Sequence, residues 1–173
     1  PISLPIFRQI NEKLGEANVL KAQGDLALRM ADLAGAANAY AAALPIFRQI
    51  NEKLGEANVL QSMGNLLRAQ GKPAEAFVQY QACAQIHSEL QDRLGLGADY
   101  GYMARAAAAA GDVALAVQLC EASLQLLVDI GERWGQAITL QTQAEQLWAL
   151  EAQLPAMAAW WLARALFTEA GAS

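Results

Sequence analysis

The sequence predicts an all-α chain, a repeat array of about four antiparallel helix pairs with a leading half-unit. Three observations predict it. The stretch LPIFRQINEKLGEANVL occurs twice without change, at Leu4–Leu20 and Leu44–Leu60, an offset of 40 residues. On that period Leu14-Gly15, Leu54-Gly55, Leu94-Gly95 and Trp134-Gly135 fall in register, as do Ala36, Ala76, Ala116 and Ala156, while Gly24 and Gly64 align with Ala104 and Ala144. A fixed period of this length marks stacked supersecondary units. Third, the chain is 55% apolar and much of that is alanine, the best helix former. No segment of alternating apolar and polar residues persists, so no strand is expected.

Each element follows in order. Ile6, Phe7, Ile10 and Leu14 form a helical stripe in the half-unit, residues 1–14. Gly15 is expected to end that helix as a left-handed cap, and Glu16 to begin the next, where its charge suits the helix N-terminus. The first helix of unit one (15–54) is placed at Glu16–Ala31, with Ala17, Leu20, Gly24 and Ala27 on one face. Asp32 is its partner's N-cap. The second helix then runs through Ala36, Tyr40 and Ala43 to Leu54, with a kink rather than a stop at Pro45.

Unit two (55–94) repeats the plan. Its first helix, Glu56–Gln70, turns Ala57, Leu60, Gly64 and Leu67 inward. Gly71 caps it, and Pro73 opens the second helix, Pro73–Leu94, which buries Ala76, Phe77, Tyr80, Cys83 and Ile86. Unit three (95–134) has a glycine-bearing helix at Leu96–Ala110, a turn at Gly111-Asp112 and a helix at Val113–Arg133. Ala116, Leu119, Cys120, Ser123 and Leu127 hold its core slots. Unit four (135–173) has helices at Gln136–Leu150 and Pro155–Ala170, with Trp148, Trp160 and Trp161 clustered and Trp160 in a core slot. The 173 residues are expected to form one domain.

Composition excludes several functions. The net charge is −5 and the 12 basic residues are scattered singly, whereas nucleic-acid binding needs clustered cations. No apolar run reaches the roughly 18 residues of a membrane span. The N-terminal stretch lacks a basic start and a cleavage-like end, and reads as half a repeat unit rather than a secretory signal. Cys83 and Cys120 are too few for a disulfide framework and lack metal-site spacing; they fit a reducing, cytoplasmic compartment.

The recurring residues are Leu20, Gly24, Ala36 and Tyr40; Leu60, Gly64, Gly71, Ala76 and Tyr80; Tyr100, Ala104, Gly111, Ala116 and Cys120; and Leu140, Ala144, Ala156 and Trp160. This pattern resembles the tetratricopeptide repeat over essentially the whole chain. The usual unit is about 34 residues, so the 40-residue period departs from it. It looks like the long-helix variant seen in kinesin light chains and bacterial signalling proteins, with the extra residues assigned to the second helix. The resemblance implies a right-handed α-solenoid, a superhelix with first helices on the concave face and second helices on the back.

Catalytic chemistry finds no purchase. His87 is the sole histidine, and no triad or metal partner is in view, so a structural or surface role is expected. Cys83 and Cys120 occupy core slots as inert thiols. Gly95-Leu96-Gly97 lacks the downstream pattern of a phosphate loop. No enzyme activity and no cofactor or metal are expected.

The informative positions are those on first helices that face away from the core. They are Asn18, Lys21, Asp25 and Leu28; Asn58, Gln61, Asn65 and Arg68; Ala98, Gly101, Arg105 and Ala108; and Ile138, Gln141, Glu145 and Trp148. Their polar members would hydrogen-bond an extended peptide. Ala98 and Gly101 would leave a bare trough. Some members of the family grip a chaperone's C-terminal carboxylate through Lys, Asn and Arg. Here Asp25, Ser62, Ala98 and Tyr102 stand at those positions, so no such clamp is expected.

The expected function is therefore a non-enzymatic scaffold that binds a peptide or protein segment along its concave face. The alternative is a spacer or oligomerisation segment of a larger signalling protein. Exposed apolar ends, Ile6 and Phe7 at one and Trp160 and Trp161 at the other, suggest end-to-end self-association.

Overall fold

A computed structural model describes residues 12–171. Over them the chain forms eight α-helices and no strand: α1 (Lys13–Arg29), α2 (Leu33–Gln49), α3 (Lys53–Ala69), α4 (Pro73–Glu89), α5 (Arg93–Ala109), α6 (Val113–Asp129), α7 (Arg133–Ala149) and α8 (Gln153–Gly171). The Ile6 and Phe7 stripe lies outside the described residues. No described helix is long and apolar enough to cross a membrane.

The helices keep a strict metre. Each of α1 to α7 has 17 residues, and every connection is three residues long. The middle residue of each connection has positive φ: Ala31, Asn51, Gly71, Gln91, Gly111, Gly131 and Glu151. The residue after it donates its backbone N–H five positions back, as in Asp32 to Ala27 and Glu52 to Phe47 at 2.9 Å. This is the left-handed C-terminal cap that satisfies the last carbonyls of a helix. Gly71 and Gly111 take this position without steric cost, as expected.

The metre corrects the expected helix ends. Gly15, Gly55, Gly95 and Gly135 do not break helices; each is the third residue of one. The acid three residues earlier is the reason. Glu52, Asp92 and Glu132 cap α3, α5 and α7 by accepting the N–H of Gly55, Gly95 and Gly135. Asp32 and Asp112 do the same for α2 and α6, at 2.8 and 3.0 Å. An N-cap carboxylate satisfies an otherwise orphaned donor and favours the helix there. The 40-residue period is therefore two equal helices and two equal turns, not a lengthened second helix. Pro45 lies inside α2, and the helix continues through it.

The capped glycines also serve packing. A Cβ on Gly55 would collide with the Phe47 ring, and one on Gly95 with His87. The bare backbone thus lets the start of a helix rest on the last turn of the one before.

The chain divides into two compact units, Pro1–Ile86 and His87–Ser173. In the first, α1 packs on α2, and α3 packs on both. Its core joins Ala17, Leu20, Ala36, Tyr40, Ala43, Phe47, Val59 and Leu66. In the second, α5, α6, α7 and α8 pack in sequence, and α5 also meets α7. Ala104, Ala116, Ala137, Ala144 and Ala156 are fully buried there. Each pair buries only one side of itself, so its neighbour completes the core.

Small and large residues alternate by rule across each pair. Gly24 faces Tyr40 and Gly64 faces Tyr80, so close that a Cβ would lie under 3.0 Å from the ring. Where the slot holds Ala104, its counterpart is the smaller Cys120, also fully buried. Where it holds Ala144, the counterpart is Trp160, which is not the core residue expected. It is 37% exposed and packs on Trp148, ring centroids 5.5 Å apart. The Ala144 methyl occupies the space that a ring needs there.

Candidate binding surface

The first helices carry the predicted surface residues, and the structure sorts them. In the first unit Asn18, Asn58 and Arg68 are exposed and Gln61 is half-buried. Lys21 and Asp25 pair across one turn of α1 at 2.7 Å. Asp25 also accepts from the Tyr40 hydroxyl at 2.8 Å and from Ser62 on α3 at 3.2 Å. These donors, Lys21 foremost, hold the Asp25 carboxyl below its usual range despite its partial burial. Burial, then the Asp25 bond, pushes the Tyr40 hydroxyl up. Asn65 takes the corresponding role in the next pair, accepting from Tyr80 at 2.8 Å. Asp25 and Asn65 are thus already engaged in joining the two helices of their pairs.

In the second unit Arg105 stands at the position of Asp25 and Asn65, and Cys120 at that of the tyrosines. Arg105 lies over the Tyr102 ring, 4.8 Å from its centroid. Its Nε is buried and has no hydrogen-bond partner. Beside it a cavity of about 250 Å³ opens between α5 and α7, and Ala98, Gly101, Trp134, Ile138 and Thr142 are among its walls. The expected bare trough is this cavity: a Cβ on Gly101 would find only ordinary contacts, the nearest at 3.8 Å.

The remaining predicted residues lie elsewhere. Gln141 lines a different hollow of about 410 Å³ against α8, with Trp160 and Arg164. Glu145 is exposed, and Trp148 turns to Trp160. Sequence reasoning missed Tyr102, Trp134, Thr139 and Thr142 as cavity residues. They face backward or sideways across the α5–α7 seam, and periodicity alone does not say which faces of neighbouring helices meet.

His87 is buried, not on the surface, and its Nδ1 lies 2.6 Å from Asp99. One period earlier the same two positions hold Phe47 and Val59, both in the apolar core of the first unit. A polar pair therefore replaces an apolar one. The matched exchange was visible in the period, but Asp99 was not singled out. Both cysteines are buried, as expected. Burial pushes the Cys120 thiol up to about 12.

No protein-family model matches the chain. No curated protein matches it either. Among solved structures it is similar to BtubC (BKLC) from P. vanneervenii, with a TM-score of 0.82 at 15% identity. The similarity covers 93% of this chain, which spans 66% of the length of that one. At this identity the likeness speaks for the fold alone, and what it shows is an all-α chain of repeated helical hairpins.

Proposed function

We propose that the chain is a non-enzymatic scaffold of the tetratricopeptide kind that holds a peptide or protein segment along its first helices. In this reading α1, α3, α5 and α7 line the concave side of a right-handed superhelix. One observation carries it. Asn18 and Asn58 stand at equivalent, exposed places on α1 and α3, with Arg68 exposed at the end of α3. Repeated amides at one register suit the repeated N–H and C=O groups of an extended backbone.

Selection from a displayed random-peptide library tests this. Enriched peptides should lose about tenfold or more in affinity with the N58A/Q61A/R68A variant, as expected when several hydrogen bonds are removed. Asn65 is left intact because it holds Tyr80. An empty selection, or equal binding by the variant, would favour a spacer without a ligand of its own.

A further inference from the structure

We propose that the cavity between α5 and α7 binds a small monocarboxylate with a compact apolar skeleton, and that Arg105 takes the carboxylate. The argument comes from comparing two equivalent seams. Between α1 and α3, position 21 is Lys21 and position 25 is Asp25; they form an ion pair, and Ser62 closes on Asp25 from the facing helix. The seam supplies its own cation and its own anion. One period group later the equivalents are Gly101, Arg105 and Thr142. The lysine has become a bare backbone, and the acid has become a cation.

Arg105 is then a guanidinium without the carboxylate that the other seam provides. Its Nε is closed off from solvent and makes no hydrogen bond. A buried donor left unmatched is costly, and a guanidinium binds a carboxylate through paired, charge-assisted bonds. Tyr102 fixes its plane by stacking. The one acid on the cavity wall, Glu132, is engaged as the N-cap of Gly135. The hydroxyls are occupied as well: Thr142 donates to the Ile138 carbonyl at 3.1 Å, and Thr139 lies 3.2 Å from the Ser123 hydroxyl. What the walls still offer is one cationic fork and apolar surface.

Size sets the rest of the ligand. The cavity of about 250 Å³ lies below the roughly 300–1,000 Å³ of sites for drug-sized molecules. Trp134, Ile138 and Ala98 suit a ring or a short branched chain rather than a polar body. The inference stands apart from the peptide reading, since it needs neither an extended partner nor Asn58 and Arg68.

The test uses the full 173-residue chain and two matched probes, phenylacetate and its neutral counterpart phenylacetamide, followed by backbone amide NMR. Phenylacetate should shift Gly101, Tyr102, Ile138 and Thr142 saturably. Phenylacetamide and the Arg105→Gln variant should each weaken binding about tenfold or more, as for loss of a charge-assisted bond. Gly101→Leu should abolish binding by filling the space above α5, and it keeps the proposal testable if Arg105→Gln fails to fold. The absence of a saturable shift, equal affinity for the amide, or full binding by a folded Arg105→Gln or Gly101→Leu protein would overturn the proposal. Binding of an acidic peptide at these residues without binding of phenylacetate would overturn it too.

Discussion

Replacing Gly64 and Gly101 by alanine should have opposite effects, although both lie inside helices of equal length. In an exposed or open helical site the exchange gains about 1 kcal/mol of helix propensity. At Gly101 the new methyl meets only ordinary contacts, the nearest at 3.8 Å. Gly101→Ala should therefore stabilise the second unit by roughly 0.5–1 kcal/mol. At Gly64 the methyl would enter the Tyr80 ring. Overpacking a filled core costs about 1–3 kcal/mol. Moving the ring also strains the Tyr80–Asn65 hydrogen bond, worth about 1 kcal/mol more. After the propensity gain, Gly64→Ala should be destabilising by about 1–3 kcal/mol. The decisive control is Gly64→Ala with Tyr80→Cys, which reproduces the Ala104–Cys120 pair of the following repeat. Tyr80→Cys alone empties a buried ring site at about 3 kcal/mol. The double variant should be more stable than the sum of the singles predicts by about 2 kcal/mol, because the clash is gone. Urea unfolding followed by far-UV circular dichroism measures all four proteins. A Gly64→Ala protein as stable as the parent, or strict additivity, would refute the reasoning.

Other expectations follow from the same geometry. Asp99→Val alone leaves His87 without its buried carboxylate and should cost about 3 kcal/mol, whereas His87→Phe with Asp99→Val restores the Phe47–Val59 arrangement and should recover most of that in urea unfolding. Asp25 titrates below its usual range in the folded protein, so its contribution is complete above the ordinary carboxylate pKa and is lost as pH falls through the lowered value. The fall in thermal midpoint on acidification should accordingly be shallower for Asp25→Asn. With both thiols buried and Cys120 pushed up to about 12, a disulfide reagent at neutral pH should label neither until denaturant is added. Trp161, Leu154 and Leu162 are exposed on α8; light scattering should show concentration-dependent association that Trp161→Lys weakens.

Much of the fold was legible because the repeat writes itself out. Ala36, Ala76, Ala116 and Ala156 marked the close-packed slots, and Asp32, Gly71 and Pro73 marked real boundaries. The misplaced boundaries have one cause. Leu-Gly looks like a helix end when read alone, yet the acid three residues upstream turns that glycine into the first turn of a helix. Asn51 and Gln91, which do adopt the left-handed turn, carry no glycine to announce it. Trp160 failed as a core residue because Ala144 opposite it already holds a methyl, a pairing that one column cannot display. The trough at Ala98 and Gly101 was legible as missing side chains. Its far wall, Trp134, Ile138 and Thr142, was not legible as a wall, because it depends on how α7 is turned toward α5.

The account rests on a 20-residue metre set by acid caps and left-handed turns, since that register alone brings Arg105 to the open seam. Backbone carbon chemical shifts along the chain test it directly. The account predicts helical shifts broken at residues 30–32 and every 20 residues thereafter, with Gly55, Gly95 and Gly135 inside helices. Breaks at those glycines, with second helices running on to Leu54 and Leu94, would contradict it.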